Sequence, residues 1–214
     1  MVRFAMLAFL AGLSAASLGA CGKGDAQADD HARKDPVTRP AQDQSEEARF
    51  DRERHPELIV EALGLKPGMV VADVGAGTGL LTVHLARAVA PDGKIVATDV
   101  DGAVLDMLQS RVDAAGLTKV VERRVVAGDA PGLEPGTYDA ILLAQVDHLF
   151  NDRAAWLRAA IPALKPGGRV VIENRIYNRA GAIEGAQAAG LHLDRESNDV
   201  PGEFIATFSV PGAK

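Results

Sequence analysis

The sequence predicts an α/β fold, a doubly wound and mostly parallel sheet covered by helices on both faces. Three observations carry this. Short apolar, β-branched runs alternate with amphipathic helical stretches from Phe50 onward. The first of these runs opens straight into a glycine-rich loop. The runs are nearly all apolar, as strands are when both faces of their sheet are covered.

The elements follow in order. Leu58, Ile59, Ala62 and Leu63 recur at helical spacing, and Gly64 with Lys66-Pro67-Gly68 ends that helix in a turn. Met69 to Val74 reads as a strand, and Leu80 to Ala90 as the helix after the glycines. Ile95 to Thr98 is a second strand. Gly102 to Ala115 is a helix stopped by Gly116, and Val120 to Val126 a third strand. Tyr138 to Ala144, Arg153 to Leu164, Arg169 to Glu173 and Ala180 to Ala189 continue the alternation. Leu191 to Ser197 and Glu203 to Val210, separated by Asp199-Val200-Pro201-Gly202, read as a closing hairpin. In such a fold the ligand site lies at the carboxyl ends of the strands.

Composition removes several functions. Apolar residues make up 47% and charged residues 24%, inside the globular range. Aromatics are 4%, too few for a base-stacking platform, and 23 basic against 29 acidic residues give a net charge of −6, so nucleic acid is not an expected partner. The single cysteine, Cys21, excludes an internal disulfide and any multi-cysteine metal site. His31, His55, His84 and His192 lack metal-ligand spacing, so no metal is expected. There is no Gly-x-Ser-x-Gly elbow of a serine hydrolase.

Ahead of the folded body, residues 1–20 read as an export signal. Arg3 precedes an apolar stretch, Phe4 to Leu18, that falls short of the roughly 20 residues a spanning helix needs. Leu18-Gly19-Ala20-Cys21 resembles the lipobox of bacterial lipoproteins, which implies cleavage before Cys21, acylation of its thiol, and a periplasmic or outer-membrane location. Residues 21–48 are polar, carry Pro36 and Pro40, and read as a flexible tether, which leaves 49–214 as the folded domain.

The first strand ends in Asp73-Val74-Gly75-Ala76-Gly77-Thr78-Gly79. Its glycines let backbone approach a ligand closely, and the following helix presents free N–H groups. A dinucleotide-binding loop would place its third glycine where Leu80 stands. Asp99 ends the second strand, where a carboxylate can accept both hydroxyls of a ribose, and Gly128-Asp129 ends the third. Singly, each acid is also an ordinary turn residue.

Together with Val70 to Gly79, Tyr138-Asp139 and Leu164-Lys165-Pro166-Gly167-Gly168, these residues resemble the class I S-adenosylmethionine-dependent methyltransferase family over about His55 to Val210. The resemblance implies a Rossmann-like seven-stranded sheet with an antiparallel last strand, and S-adenosylmethionine as cofactor. It implies that Gly75, Ala76, Gly77 and Gly79 approach the methionine part, with Asp73 bracing the loop. Asp99 would bind the ribose, Asp129 and the Ala130 N–H would read the adenine, and Gln145 would join the cofactor set.

Methyl transfer is an in-line displacement, so holding the acceptor in near-attack geometry supplies most of the acceleration. A base is needed only for a protonated acceptor. Asp147 and His148, after the fourth strand, are the candidate catalytic residues. His148 has two readings, a base or acceptor clamp and a capping residue ahead of the Asn151-Asp152 helix start. Glu173, Asn174 and Tyr177 follow the fifth strand and have two readings, pocket-lining residues and incidental exposed loop groups. Without an insertion between the fifth and sixth strands, acceptor selection falls to Phe50 to Glu57, and the acceptor is expected to be a small molecule or a lipid.

An export leader conflicts with a cytosolic cofactor. Three resolutions stand: an exported transferase supplied by leakage or import, an exported binding module that kept the pocket without the reaction, or an uncut anchor with its domain in the cytosol. Lys23, Arg33, Lys34 and Arg39 against Arg3 alone favour the last on charge, while the short apolar stretch opposes it.

Overall fold

The computed structural model describes residues 45–212. The leader, Cys21 and nearly all of the tether lie outside the described residues.

Helix α1 (Glu46–Arg54) starts inside the segment read as tether. Ser45 caps it by accepting from the Ala48 N–H, and Glu46 and Glu47 in the first turn face the positive end of the helix dipole. It buries no side chain. His55, at φ 46°, turns the chain into α2 (Pro56–Leu63), which starts on Pro56 and stops at Gly64, φ 63°. There follow β1 (Val70–Val74), α3 (Leu80–Val89), β2 (Lys94–Asp99), α4 (Gly102–Ala114), β3 (Val121–Val125) and β4 (Tyr138–Ala144). The chain ends with α5 (Arg153–Ala160), β5 (Leu164–Arg175), α6 (Arg179–Ala188), β6 (His192–Ser197) and β7 (Glu203–Ser209).

The strands form one seven-stranded sheet in the order β3-β2-β1-β4-β5-β7-β6. The first five are parallel, and β7 runs antiparallel between β5 and β6. The closing hairpin is therefore present, with its second strand inserted toward the centre of the sheet. Strand order reverses at the β1/β4 neighbour pair, which opens a crevice at the carboxyl ends there.

Both faces are covered. Ile59 and Leu63 of α2, Leu85 of α3 and Leu105 and Leu108 of α4 pack on Val71 and Leu142. On the other face Trp156, Leu157, Ala182 and Ala186 of α5 and α6 pack on Ile141, Ile172, Phe204 and Phe208. Ile141, Leu142 and Leu143 are successive and wholly buried, each contributing about 1.5–3 kcal/mol.

Two elements differ from expectation. The helix expected through Leu164 stops at Ala160, gives way to a 3-10 turn, and releases Leu164 to pair with Tyr138. Lys165 to Gly168 is then accommodated as a bulge in β5, with Gly167 at φ 76°. Strand β3 carries three successive charged residues, Glu122, Arg123 and Arg124, as an edge strand paired only with β2 can.

Candidate active site

The glycine loop takes its shape from its neighbours at the strand ends. Gly75 and Ala76 donate their N–H groups to the Thr98 carbonyl (2.8 and 3.0 Å), which joins the end of β1 to the end of β2. The Gly77 N–H donates to Asp99 Oδ2 at 2.9 Å, and the Asp101 N–H to Oδ1 at 3.1 Å. Gly75, Gly77 and Gly79 all have positive φ, at 70°, 54° and 83°. A Cβ on Gly75 would lie 2.7 Å from Val146, and one on Gly79 2.6 Å from Leu108, while one on Gly77 meets nothing within 4 Å. Gly75 and Gly79 are thus required by packing, and Gly77 faces open space.

Beside this loop lies a hollow of about 350 Å³, within the range of small-molecule sites. Asp99, Gly128, Ala130 and Gln145 border it with apolar walls from Val100, Leu149 and the stacked rings of Phe150 and Trp156. Thr98 Oγ1, buried and without a hydrogen-bond partner among the described residues, also borders it. A second hollow, about 150 Å³, meets the first at Gly75 and is lined by Phe50, Arg54, Asp73, Ala76 and Ala144. Phe50 and Arg54 come from the segment expected to select the acceptor. A larger hollow, about 610 Å³ between α1, α3 and α4, lies away from the strand ends. Within it Arg111 pairs with Glu46 and Glu47, and His84 with Asp51.

Other expected site residues take different places. Asp73 holds helix α3 instead of the loop itself, since it accepts from Thr82 Oγ1 at 2.7 Å. Its burial, against the Thr82 hydrogen bond and with Asp99 adding, pushes its pKa up to about 6. Asp129 stands exposed beside the first hollow while Gly128 and Ala130 border it, and the Ala130 N–H already donates to the Ala127 carbonyl at 3.3 Å. Gln145 sits at φ 54°, and its side chain reaches Glu173 and Glu203.

Asp147 is structural. Its side chain is 1% exposed, accepts from Asn174 Nδ2 and lies 2.9 Å from Arg153 Nε. That buries it in a pairing network instead of presenting it to a reacting group. His148 is exposed, with Nδ1 3.0 Å from Asn174 Nδ2. The Asn174 orientation is fixed because its Oδ1 accepts from the Arg175 N–H and from Asn178. Nδ2 therefore donates to Nδ1, and the neutral ring carries its proton on Nε2. This makes His148 a hydrogen-bond donor before it can act as a base. The capping reading is replaced, because Asp152 caps α5 by accepting from the Ala155 N–H.

The sequence reading named Glu173 only as a loop group after the fifth strand and passed over Glu203. Glu173 and Glu203 are both buried and meet Arg54 and Gln145. Burial raises Glu173 above the usual carboxylate range to about 7, with Arg54 opposing and Glu203 reinforcing. The strand-end position of Glu173 was the available signal. Its partners are distant in sequence and carry none.

Residues 72–170 match the family profile described as Methyltransferase domain. The chain is 34% identical over 115 residues to the ubiquinone/menaquinone biosynthesis C-methyltransferase UbiE of Idiomarina loihiensis, covering 53% of this chain and 45% of that protein. It thus spans about half the length of the curated relatives it matches. A SAM-dependent methyltransferase from Aquifex aeolicus shares the fold with a TM-score of 0.69 at 24% identity, over 74% of this chain and 91% of that one. Geranyl diphosphate C-methyltransferase from Streptomyces coelicolor A3(2), solved with Mg2+, geranyl diphosphate and S-adenosyl-L-homocysteine, aligns with a TM-score of 0.62 at 14% identity, over 72% of this chain and 76% of that one. The matched segment carries the glycine loop, Asp99 and the β4 end on this sheet order, and over residues 72–170 the chain is similar to a methyltransferase domain.

Proposed function

We propose that this chain is a methyltransferase that binds S-adenosylmethionine across the two hollows and moves its methyl group to a small-molecule or lipid acceptor. The observation that carries the reading is the Asp99 carboxylate beside the first hollow. It holds the Gly77 N–H and keeps a lone pair on each oxygen for a ribose diol. The unpartnered Thr98 hydroxyl and the open space over Gly77 fit the same nucleoside. Glycine-loop backbone and Ala144 border the smaller hollow, where the amino-acid part would lie.

When bound, the cofactor supplies an electrophilic methyl group. The chain's own part is to bind, orient and exclude water. Phe150 and Trp156 wall the nucleoside end, and Phe50 and Arg54 cover the other end; His148 lines neither hollow.

The lipobox reading adds a location: a lipoprotein held by acylated Cys21 at a periplasmic or outer-membrane surface, with residues 1–20 removed. No helix among the described residues is long and apolar enough to cross a membrane. A non-catalytic binding lipoprotein is the second reading, favoured by the structural role of Asp147. Incubating the protein with methyl-tritiated S-adenosylmethionine and either a small-molecule panel or a total lipid extract separates them. Label in an acceptor supports the transferase; cofactor binding with no label in any fraction supports the binding module.

A further inference from the structure

Glu173 lies two residues before the end of β5 and Glu203 begins β7, and their side chains are 1% and 2% exposed. Arg175 pairs across the sheet with Glu203, so Glu173, two residues earlier, projects from the same face. The cations facing this pair are Arg54 of α1, 2.6 Å from Glu173 Oε2 and 3.5 Å from Glu203 Oε1, and the half-exposed Arg175, 3.0 Å from Glu203 Oε1. Gln145 Nε2, from the end of β4, stands 3.4 and 3.3 Å from the two carboxylates.

The plain alternative is that this cluster only ties down α1, which has no buried residue of its own. A tie needs one carboxylate and leaves nothing unmet. Here Arg54 Nε and Glu203 Oε2 are both buried and have no hydrogen-bond partner among the described residues. Native proteins pair nearly all such atoms. One unmet donor and one unmet acceptor on neighbouring groups are what a hydroxyl satisfies, since it both accepts and donates. Arg54 also lines the smaller hollow beside Gly75 and Ala144, while Glu173 and Glu203 do not line it and stand behind Arg54, 2.6 and 3.5 Å from its guanidinium.

We propose that Arg54, Glu173 and Glu203 form the acceptor end of the cleft, that they take a hydroxyl-bearing acceptor, and that the carboxylate pair receives the hydroxyl proton. This rests on the methyl-transfer reading above. In the balanced step the hydroxyl oxygen uses a lone pair to bond the methyl carbon, and the electron pair of the broken C–S bond stays on sulfur. The O–H proton passes to the carboxylate pair, leaving a methyl ether. Arg54 Nε orients the oxygen, and Gln145 holds the two carboxylates together.

The test is calorimetry on the full chain in detergent. S-adenosylhomocysteine is titrated first, then phenol or its hydroxyl-free analogue anisole into the loaded protein, with thermal midpoints measured for every variant. Phenol is expected to bind at least tenfold more tightly than anisole. Glu203→Gln and Arg54→Lys should each erase that preference, with S-adenosylhomocysteine affinity in Glu203→Gln within threefold of wild type. If Glu203→Gln does not fold, Arg54→Lys, which keeps the charge and loses the Nε donor, decides. Equal binding of phenol and anisole, no uptake of phenol, or a preference unchanged in the folded variants overturns the proposal. Failure of wild type to bind S-adenosylhomocysteine would instead overturn the methyl-transfer reading.

Discussion

Asp99 Oδ2 accepts the Gly77 N–H at 2.9 Å, so the acid that ends β2 shapes the glycine loop that ends β1. The same carboxylate that shapes the loop also borders the first hollow.

The three loop glycines are expected to separate by role. Gly79→Ala and Gly75→Ala drive a Cβ into Leu108 or Val146 at positive φ and should each lose about 2–4 kcal/mol of stability. Gly77→Ala meets no neighbour and should lose only about 1 kcal/mol, while its methyl fills the open space a ligand needs. Denaturant unfolding with cofactor titration checks both halves. Equal stability losses at all three positions would contradict the assignment.

For His148, nitrogen NMR should find the neutral ring protonated on Nε2, and Asn174→Ala should release that preference. The same substitution removes a donor from buried Asp147 and should lose about 1–3 kcal/mol. His148→Ala should leave the thermal midpoint unchanged, because Asp152 caps α5, and should slow transfer by less than the roughly 10²-fold expected of a general base. A larger loss would restore His148 as the base.

The alternation of strands and helices was legible in the sequence, and so were the glycine loop and Asp99, because each depends on neighbours close in the chain or on one strand end. The place of β7 was not, since nothing local says whether a hairpin's second strand lies inside or outside its first. Asp147 looked catalytic from its position after β4. Only the approach of Asn174 and Arg153 shows it to be buried and paired. The start of α1 was hidden because its residues are polar apart from Ala48 and Phe50, and its ties, Arg54 to Glu173 and Arg111 to Glu46, are ion pairs between distant segments.

Stability should depend on pH in two windows. Glu173 and Asp73 have folded pKa values raised to about 7 and about 6, so the native state holds protons that the unfolded chain has released. Their contribution is fully present below about pH 4 and is lost as pH rises through 6 and 7. Glu57, Glu122, Glu134 and Glu196 are lowered by hydrogen bonds and cations, so their contribution fails as pH falls below about 4.5. The thermal midpoint should therefore be highest near pH 5 and fall toward pH 7.5, with Glu173→Gln removing on the order of 1–3 kcal/mol of that slope. A slope unchanged in Glu173→Gln would show that Glu173 is ionised throughout.

Replacing Cys21 with Ser should move the protein out of the membrane fraction, and the wild type should carry the added mass of acyl chains. A variant that still sediments with membranes, beside a wild type of unmodified mass, would remove the lipoprotein reading.

The central claim is tested most directly by calorimetry of S-adenosylhomocysteine binding to wild type and Asp99→Ala side by side. Wild type should bind one equivalent in the micromolar range. Asp99→Ala should bind about 10- to 150-fold more weakly, the loss of charged hydrogen bonds to a diol. No binding by wild type at millimolar ligand, or the same affinity in Asp99→Ala, would contradict the account.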